Sequence, residues 1–524
     1  MLASAFEMDA SRRDVAWIPV AAAVGGFLVE AVVASTPGSP LQPVLAPGAA
    51  PGAPFASIGA ALRLDTVGSA FPAVSVIAVV AGLAGFLLVL QAAWRGEVPL
   101  RLALGLVVVL HVALVFLPLL VSRDVYSYIA SGQIVSVHHA NPYVATPADY
   151  PGLLTQRLVG PKWVDTPTVY GPLFSHLAGL VTRISDRLDV LVDAFRLIAI
   201  AASLATTLVV GAIVRGVRPA RAAFAVTAFG LNPVILFQSA ASGHNDLLVA
   251  LFIALAVWLV LRGRTLAAVI ALTVGALIKA PAVLPLLLLV VWVGWKRPPL
   301  DRLRALAVHG GAAAAIVIAV AAPFFQLEDP TLGMVELAGH EGWLAPSRFL
   351  GRLLDAISGD TLGVVARAAF AVLLLVAIVW LVRIVARTAA ADGPALELPA
   401  AWGWALLALT LLGPVLLPWY LAWSLPLVWV LPSVPRAVLT ALSAVLALSQ
   451  WTAEPRLYPG AYDVSVLVGH YVLTPVVIAL LVWAAFDLAR RRSAALPLRD
   501  EEPDETAEAG GGRGRDRDPE VVQP

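Results

Sequence analysis

Acidic, amide, basic and aromatic side chains stand in this sequence directly beside long apolar runs. The stretch "VSRDVYSY" follows the apolar run that ends at Leu120, and "SGHNDLL" and "IKAP" separate later apolar runs. A carboxylate in such a place can accept a proton as a general base, and nearby cations can stabilise an anion that develops in a reaction. We take Asp124 as the candidate base. The candidate cations are Arg123, His244, Lys279 and Arg348.

A second set of polar and aromatic residues lies in the same kind of stretch and suits a polar ligand such as a sugar. The set comprises Tyr126, Tyr128, Asn141, Tyr143, Tyr170, Asn245, Asp246, His340, Glu341, Trp419 and Tyr420. Structural alternatives stay open for several of them. Asp124 could cap the helix predicted over 124–138, and Asn245 or Asp246 could cap the next one. Tyrosines at helix ends are common at membrane interfaces, and Lys279 could extend towards water.

The composition indicates an integral membrane protein with many spans. Of 524 residues, 60% are hydrophobic and 13% are charged, whereas soluble domains carry about 25% charged residues. The absence of cysteine excludes disulfides, thiolate catalysis and cysteine-ligated metals. We expect no nucleic-acid partner, because there is no basic face, and no metal or other cofactor. Among the acids predicted to lie outside, Glu328 and Asp329 form the one close carboxylate pair, and such neighbours in a loop are usually solvated.

The elements that must position these residues are membrane helices, each of which needs roughly 17–25 apolar residues. The sequence predicts an all-α, polytopic transmembrane protein of about 12–14 spans. The count varies because 266–295 can be one unit broken at Pro281. The predicted spans are 15–34, 71–93, 102–121, 190–214, 222–240, 247–261, 266–279, 281–295, 305–322, 362–382, 399–417, 420–432, 436–451 and 465–487.

The distribution of Arg and Lys between the short loops predicts the orientation. With the N-terminus in the cytoplasm, nineteen basic residues fall in cytoplasmic segments before the tail and ten in outer segments. We therefore expect a cytoplasmic N-terminus over 1–14, a membrane domain over 15–488 and a disordered cytoplasmic tail over 489–524. In this orientation both termini are cytoplasmic, and the protein lies in the plasma membrane.

This orientation places almost all of the candidate residues on the outer side. They fall in two large outer loops, about 122–189 and 323–361, in which we expect short interfacial helices, and in outer turns. Such a cluster suits a site at the boundary between membrane and water. The alternative functions are a transporter, whose binding residues would lie near the midplane, and a protein that binds a lipid carrier without catalysis.

The order of motifs resembles a known family. "RDVYSY", "NPY", "VYGPLF", "GHNDLL" and "KAPA" follow one another as in the GT-C glycosyltransferases that use polyprenyl-phosphate sugars. The resemblance is in particular to the actinobacterial polyprenol-phosphate-mannose-dependent α-1,6-mannosyltransferases. It runs from about Arg123 to Pro285, with weaker similarity to the end of the last span.

The resemblance implies a GT-C-like membrane enzyme with its active site on the outer face. It would move a hexose, by this resemblance mannose, from a polyprenyl-phosphate carrier to a glycolipid, glycan or polysaccharide acceptor, with inversion at the anomeric carbon. Asp124 matches the acidic residue proposed as the base in the family's first large outer loop. This chain departs from the family in one respect, because two predicted spans precede the span before that loop.

Overall fold

The structure is a computed structural model that describes residues 15–49, 52–326, 342, 344–359, 362–494 and 498–499. These residues form helices and connecting turns, without a strand among them. In chain order the helices are α1 (Trp17–Ser35), α2 (Phe55–Ala61), α3 (Phe71–Trp94), α4 (Leu100–Leu114), α5 (Asp124–Ser136), α6 (Pro172–Val181), α7 (Leu188–Val217), α8 (Ala222–Gly230), α9 (Pro233–Ile235), α10 (Asp246–Val260), α11 (Thr265–Ala276), α12 (Val283–Trp295), α13 (Pro299–Ala321), α14 (Pro346–Ser358), α15 (Leu362–Ala390), α16 (Glu397–Leu412), α17 (Leu421–Ser424), α18 (Ser433–Ala447), α19 (Pro459–Val468) and α20 (Thr474–Ala494).

Six helical segments within the described ranges are long and apolar enough to cross a membrane, which confirms the predicted class of polytopic helical protein. They contain α1, α3, α7, α13, α15 and the continuous unit of α19 and α20. A seventh candidate is the predicted span 222–240, which is a pair of segments bent by 43°. Proline accounts for the bend, because Pro233 lacks the N–H that would continue the helical bonding of α8.

Several predicted spans are shorter helices than expected. The apolar helices α4, α10, α11, α16 and α18 contain 15, 15, 12, 16 and 15 residues. Among the described residues, six helices, or seven with the bent pair, are long and apolar enough to cross alone, which is fewer than the 12–14 predicted spans. Proline limits some of these helices, as at Pro414 after α16 and Pro432 before α18.

The predicted span 420–432 is wrong as a single helix. The segment from Pro418 to Leu427 consists of short helical turns, including α17, and its side chains are buried in the protein. Pro426 and Pro432 prevent a continuous helix, and the apolar composition reflects burial among other helices. These turns carry Trp419, Tyr420 and Trp423 towards the candidate site.

The polar cluster lies where several helices begin or end. Helix α5 packs against α6 and α7, α7 packs against α10, and α10 packs against α11 and α17. Helix α5 is packed within the protein, since Val125, Tyr126 and Tyr128 are fully buried. At the other terminus, α20 continues through the predicted tail residues 489–494, and the Leu498 backbone N–H donates to Glu397 Oε2.

Candidate functional site

Asp124 is the first residue of α5, and its carboxylate is directed at other candidate residues. The Tyr170 hydroxyl donates to Asp124 Oδ2 at 3.5 Å, and His244 Nδ1 lies 3.5 Å from the same oxygen. Arg123 occupies the N-cap position of α5 without a side-chain capping bond, and Asp124 is the acidic residue of the first turn. Burial raises the pKa of Asp124 to about 6, and the Lys279 charge opposes this rise. A carboxylate with this pKa is deprotonated at neutral pH and is a stronger base than an exposed aspartate.

A buried ion pair forms the centre of the cluster. Lys279 Nζ lies 2.9 Å from both carboxylate oxygens of Asp246, and Trp423 Nε1 donates to Asp246 Oδ1 at 2.8 Å. The ammonium also lies 4.9 Å from the Tyr420 ring centroid and 5.7 Å from that of Tyr170. Lys279 therefore does not extend away to water. Tyr170 contacts both this pair and Asp124, so Asp124 and Lys279 belong to one cluster.

His244 and Asn245 present polar atoms that the protein does not satisfy. His244 is fully buried and stacks on Trp419, with ring centroids 3.7 Å apart. Both of its ring nitrogens and both amide atoms of Asn245 lack a hydrogen-bond partner among the described residues. Asn245 occupies the N-cap position of α10 without a side-chain capping bond. Buried polar groups nearly always have a hydrogen-bond partner. These atoms have none among the described residues, so they are available to a ligand.

Burial and the nearby Lys279 charge lower the pKa of His244 well below its ordinary value. The imidazole is therefore neutral at neutral pH, and it offers a hydrogen bond and a flat stacking surface instead of a positive charge.

The backbone around Tyr170 is tied to the segment that carries Lys279. The Gly171 N–H donates to the Ile278 carbonyl at 2.9 Å, and the Leu173 N–H donates to the Leu277 carbonyl at 3.0 Å. A Cβ on Gly171 would lie 2.2 Å from the Leu277 oxygen, so this close approach requires glycine. The Tyr143 hydroxyl donates to the Tyr170 carbonyl at 2.7 Å, which makes Tyr143 a support for the site.

Arg196 positions the turn that carries His244 and Asn245. It is 3% exposed, and its Nε and Nη2 donate to the carbonyls of Ala241 and Leu114, each at 2.9 Å. Gly243 in this turn has φ +72°, a conformation that glycine tolerates best. Arg196 is not among the residues predicted from the sequence, although an arginine inside the predicted span 190–214 is the kind of residue that signals a role.

Arg123 forms an ion pair with Glu454, which is 3% exposed in a loop distant in sequence. This pair ties the start of α5 to the loop between α18 and α19. The sequence did not predict this ion pair, because the spacing of residues in a single sequence carries no information about a contact between positions 331 apart.

An apolar cavity of about 270 Å³ ends at Lys279. Its walls come from α12, α15, α16, α17 and the turns before α17, and they include Val283, Leu284, Ile378, Leu409, Val415 and Trp423. Lys279 and Tyr420 supply the polar end. A lipid chain that carries an anionic head would match this combination of an apolar wall with one cation.

The structure brings together the predicted residues Asp124, Tyr128, Tyr170, His244, Asn245, Asp246, Lys279, Trp419 and Tyr420. Other predicted residues have structural contacts instead. The Tyr126 hydroxyl donates to the Val44 carbonyl, and the Asn141 amide donates to the Phe324 carbonyl. Arg348 lies on α14, one turn before Arg352. His340 and Glu341, like Glu328 and Asp329, lie outside the described residues. In the part of the chain that is described, no group of three or more His, Asp or Glu side chains could hold a metal ion.

Comparison with known proteins shows similarity to mannosyltransferases over part of the chain. Residues 42–295 match the family described as α-(1→6)-mannopyranosyltransferase, N-terminal domain. α-(1→6)-Mannopyranosyltransferase A of Mycobacterium tuberculosis is 29% identical over 358 residues, which cover 63% of this chain and 64% of that protein. The protein of the same name from Corynebacterium glutamicum is 30% identical over 186 residues, or 35% of this chain and 37% of the relative.

The chain therefore matches less than two thirds of the length of either relative. No solved structure matches it. The matched segment contains Asp124, His244, Asp246 and Lys279, in the order on which the resemblance was based. Over residues 42–295 the chain is therefore similar to the α-(1→6)-mannopyranosyltransferase family.

Proposed function

We propose that this protein transfers mannose from a polyprenyl-phosphate carrier to a hydroxyl of a glycolipid or glycan acceptor on the outer face of the plasma membrane. The observation that carries the proposal is the position of Asp124, which shares the Tyr170 side chain with the Asp246–Lys279 pair at the end of an apolar cavity. The proposal also draws on the mannosyltransferase activity for which the two relatives are named.

The lipid donor fits the cavity and its cation. The polyprenyl chain lies against the apolar walls, and its phosphate approaches Lys279. An ammonium has three N–H donors, and Asp246 accepts two of them, so one N–H remains for the phosphate. Because Asp246 offsets part of the positive charge, Lys279 binds the phosphate without holding the product too tightly.

Asp124 acts as the general base in a single displacement. The acceptor oxygen attacks the anomeric carbon, the bond from that carbon to the phosphate oxygen breaks, and Asp124 takes the proton of the attacking hydroxyl. The leaving polyprenyl phosphate retains the electron pair, and Lys279 stabilises its charge. One displacement inverts the configuration, so a β-linked donor yields an α-glycoside.

The remaining polar groups orient the sugar. Asn245 and His244 have unsatisfied polar atoms beside the base, and a hexose hydroxyl can donate to or accept from each of them. The neutral imidazole leaves charge stabilisation to Lys279. Arg123, which pairs with Glu454, positions α5.

The test is transfer from labelled polyprenyl-phosphate mannose in membranes that contain the protein, followed by linkage analysis of the product. We expect transfer from the lipid donor to give an α-1,6-linked product, with no direct transfer from a nucleotide sugar when synthesis of the lipid donor is blocked. Direct use of the nucleotide sugar, or the absence of transfer from a range of lipid-linked sugars, would contradict the proposal.

A further inference from the structure

A second cavity, of about 400 Å³, lies beside α5 and is not used by the proposed reaction. Its lining includes Phe116, Tyr126, Arg187, Asp189, Asp193 and Arg196, together with backbone from the loop around Gly48. Its volume falls in the range of about 300–1,000 Å³ that is usual for small-molecule sites. Unlike the cavity that ends at Lys279, it has several charged side chains in its wall.

The second cavity and the catalytic cluster share α5 and Arg196. Tyr126 lines the second cavity and lies two residues after Asp124, and helical residues at this spacing point about 200° apart, so the second cavity and the Asp124 carboxylate adjoin opposite faces of α5. Arg196 donates from Nη1 to Asp193 at 2.7 Å and from Nε to the Ala241 carbonyl at 2.9 Å. It therefore links the wall of the second cavity to the turn that carries His244.

The charges in this wall are balanced. Arg187 forms a bidentate pair with Asp189, with Nε 3.2 Å from Oδ1, and Arg196 pairs with Asp193. Two cations and two carboxylates give a net charge of zero, so the wall does not select a phosphate or an anionic lipid head. Fixed, paired donors and acceptors suit an uncharged ligand with many hydroxyl groups.

The wall also offers an exposed ring and an available carboxylate oxygen. Phe116 is 48% exposed, and an aromatic face packs against the C–H face of a sugar ring. The Asp193 side chain is 63% exposed and uses Oδ1 for Arg196, so Oδ2 can accept a hydroxyl proton. Aromatic packing on one side and hydroxyl recognition on the other are what a neutral sugar requires.

We infer that this second cavity binds the inner sugars of a neutral oligosaccharide acceptor whose terminal sugar reaches Asp124 around the start of α5. The inference rests on the proposed function and deepens it, since it predicts an acceptor that is already a chain of several sugars. The second cavity would then determine the preference for long acceptors over short ones.

The experiment compares Phe116→Ala and Arg187→Ala with the wild type, on a synthetic mannose disaccharide acceptor and on an α-1,6-linked hexasaccharide. For each variant, the KM for the hexasaccharide should rise by about threefold to tenfold, as expected for loss of one contact, while the KM for the disaccharide and kcat stay unchanged. Phe486→Ala, which removes another exposed ring on α20, serves as the control and should leave both KM values unchanged.

Binding of the hexasaccharide to the purified protein without donor provides a readout that does not depend on transfer. Weaker binding by Phe116→Ala and Arg187→Ala supports the inference. Unchanged binding, or equal changes in KM for both acceptors, would overturn it. If the wild type binds the hexasaccharide through this cavity but transfers no sugar from any lipid donor, the proposed function fails while the cavity is still a glycan site.

Discussion

At the residue scale, three features define the site: a carboxylate with a raised pKa, a buried ion pair and a turn with unsatisfied polar atoms. Asp124, Lys279 and the His244–Asp246 turn could be selected from the sequence, because charged and amide residues beside apolar runs are conspicuous. The contacts that join these residues could not be predicted from the sequence, because Tyr170, Trp423 and Glu454 reach the cluster through tertiary contacts. The unfavourable burial of each charge is offset by the neighbours that the fold supplies.

The pKa of Asp124 predicts a pH dependence for the transfer. Asp124 acts as a base only when it is deprotonated, and its pKa is raised to about 6. As the pH falls through 6, the protonated fraction rises, and kcat/KM should fall by about tenfold for each further pH unit. The measurement is kcat/KM from pH 5 to 8. Glu454→Gln should show the same fall in kcat/KM at acidic pH. A kcat/KM that stays constant down to pH 5 would contradict the role of Asp124 as the base.

The buried Asp246–Lys279 pair predicts a thermodynamic cycle. Lys279→Met or Asp246→Leu alone leaves one buried charge without its partner, which should destabilise the protein by about 3–5 kcal/mol. The double variant should recover much of that stability because no charge remains, yet it should not transfer sugar. Thermal unfolding in detergent, followed by tryptophan fluorescence, checks the first point, and the donor assay checks the second.

An exposed ion pair provides the control for this cycle. Lys296 and Asp392 lie 2.8 Å apart with side chains that are 42% and 81% exposed. Lys296→Met should change stability by less than about 1 kcal/mol. Equal effects at the buried and exposed pairs would show that Lys279 has no special environment.

At the element scale, the site depends on short interruptions between helices. The long helices α1, α3 and α7 follow from apolar runs in the sequence and agree with the predicted spans to within about three residues. The turns over 418–427 could not be predicted from the apolar runs, because burial inside a protein and burial in lipid select the same apolar residues. The segment 171–173, whose N–H groups pair with the 277–278 backbone, is likewise determined by a contact distant in sequence.

Two glycines with the same backbone conformation test the importance of one such turn. Gly243 and Gly263 have φ values of +72° and +70°, but a Cβ on Gly243 would lie 2.7 Å from Val125 Cγ2, whereas one on Gly263 would meet no atom within 4 Å. Gly263→Ala should lower stability by about 1–2 kcal/mol and leave transfer intact. Gly243→Ala should also displace α5 or the His244 turn and lower kcat by about tenfold or more. Equal activity of the two variants would contradict the role of this turn.

At the scale of the whole molecule, the account requires the cluster to lie at the outer end of the helix bundle. The chain contains no cysteine, so single cysteines can report the orientation without background. Lys162 lies in the loop that the sequence places outside, and Arg304 lies at the end that it places in the cytoplasm, and both are exposed. Lys162→Cys should react with an impermeant thiol reagent in intact cells, and Arg304→Cys only after permeabilisation. The reverse pattern would place the site in the cytoplasm.

The most direct test of the account is the rate of mannosyl transfer by Asp124→Asn at saturating donor and acceptor, measured together with donor binding. The amide preserves the size of the side chain and the contacts at Tyr170 and His244 but cannot accept the proton. We predict that kcat falls by about 10²–10⁴-fold while donor binding and thermal stability stay close to those of the wild type. A variant that keeps more than about a tenth of the wild-type kcat would contradict the assignment of Asp124 as the base.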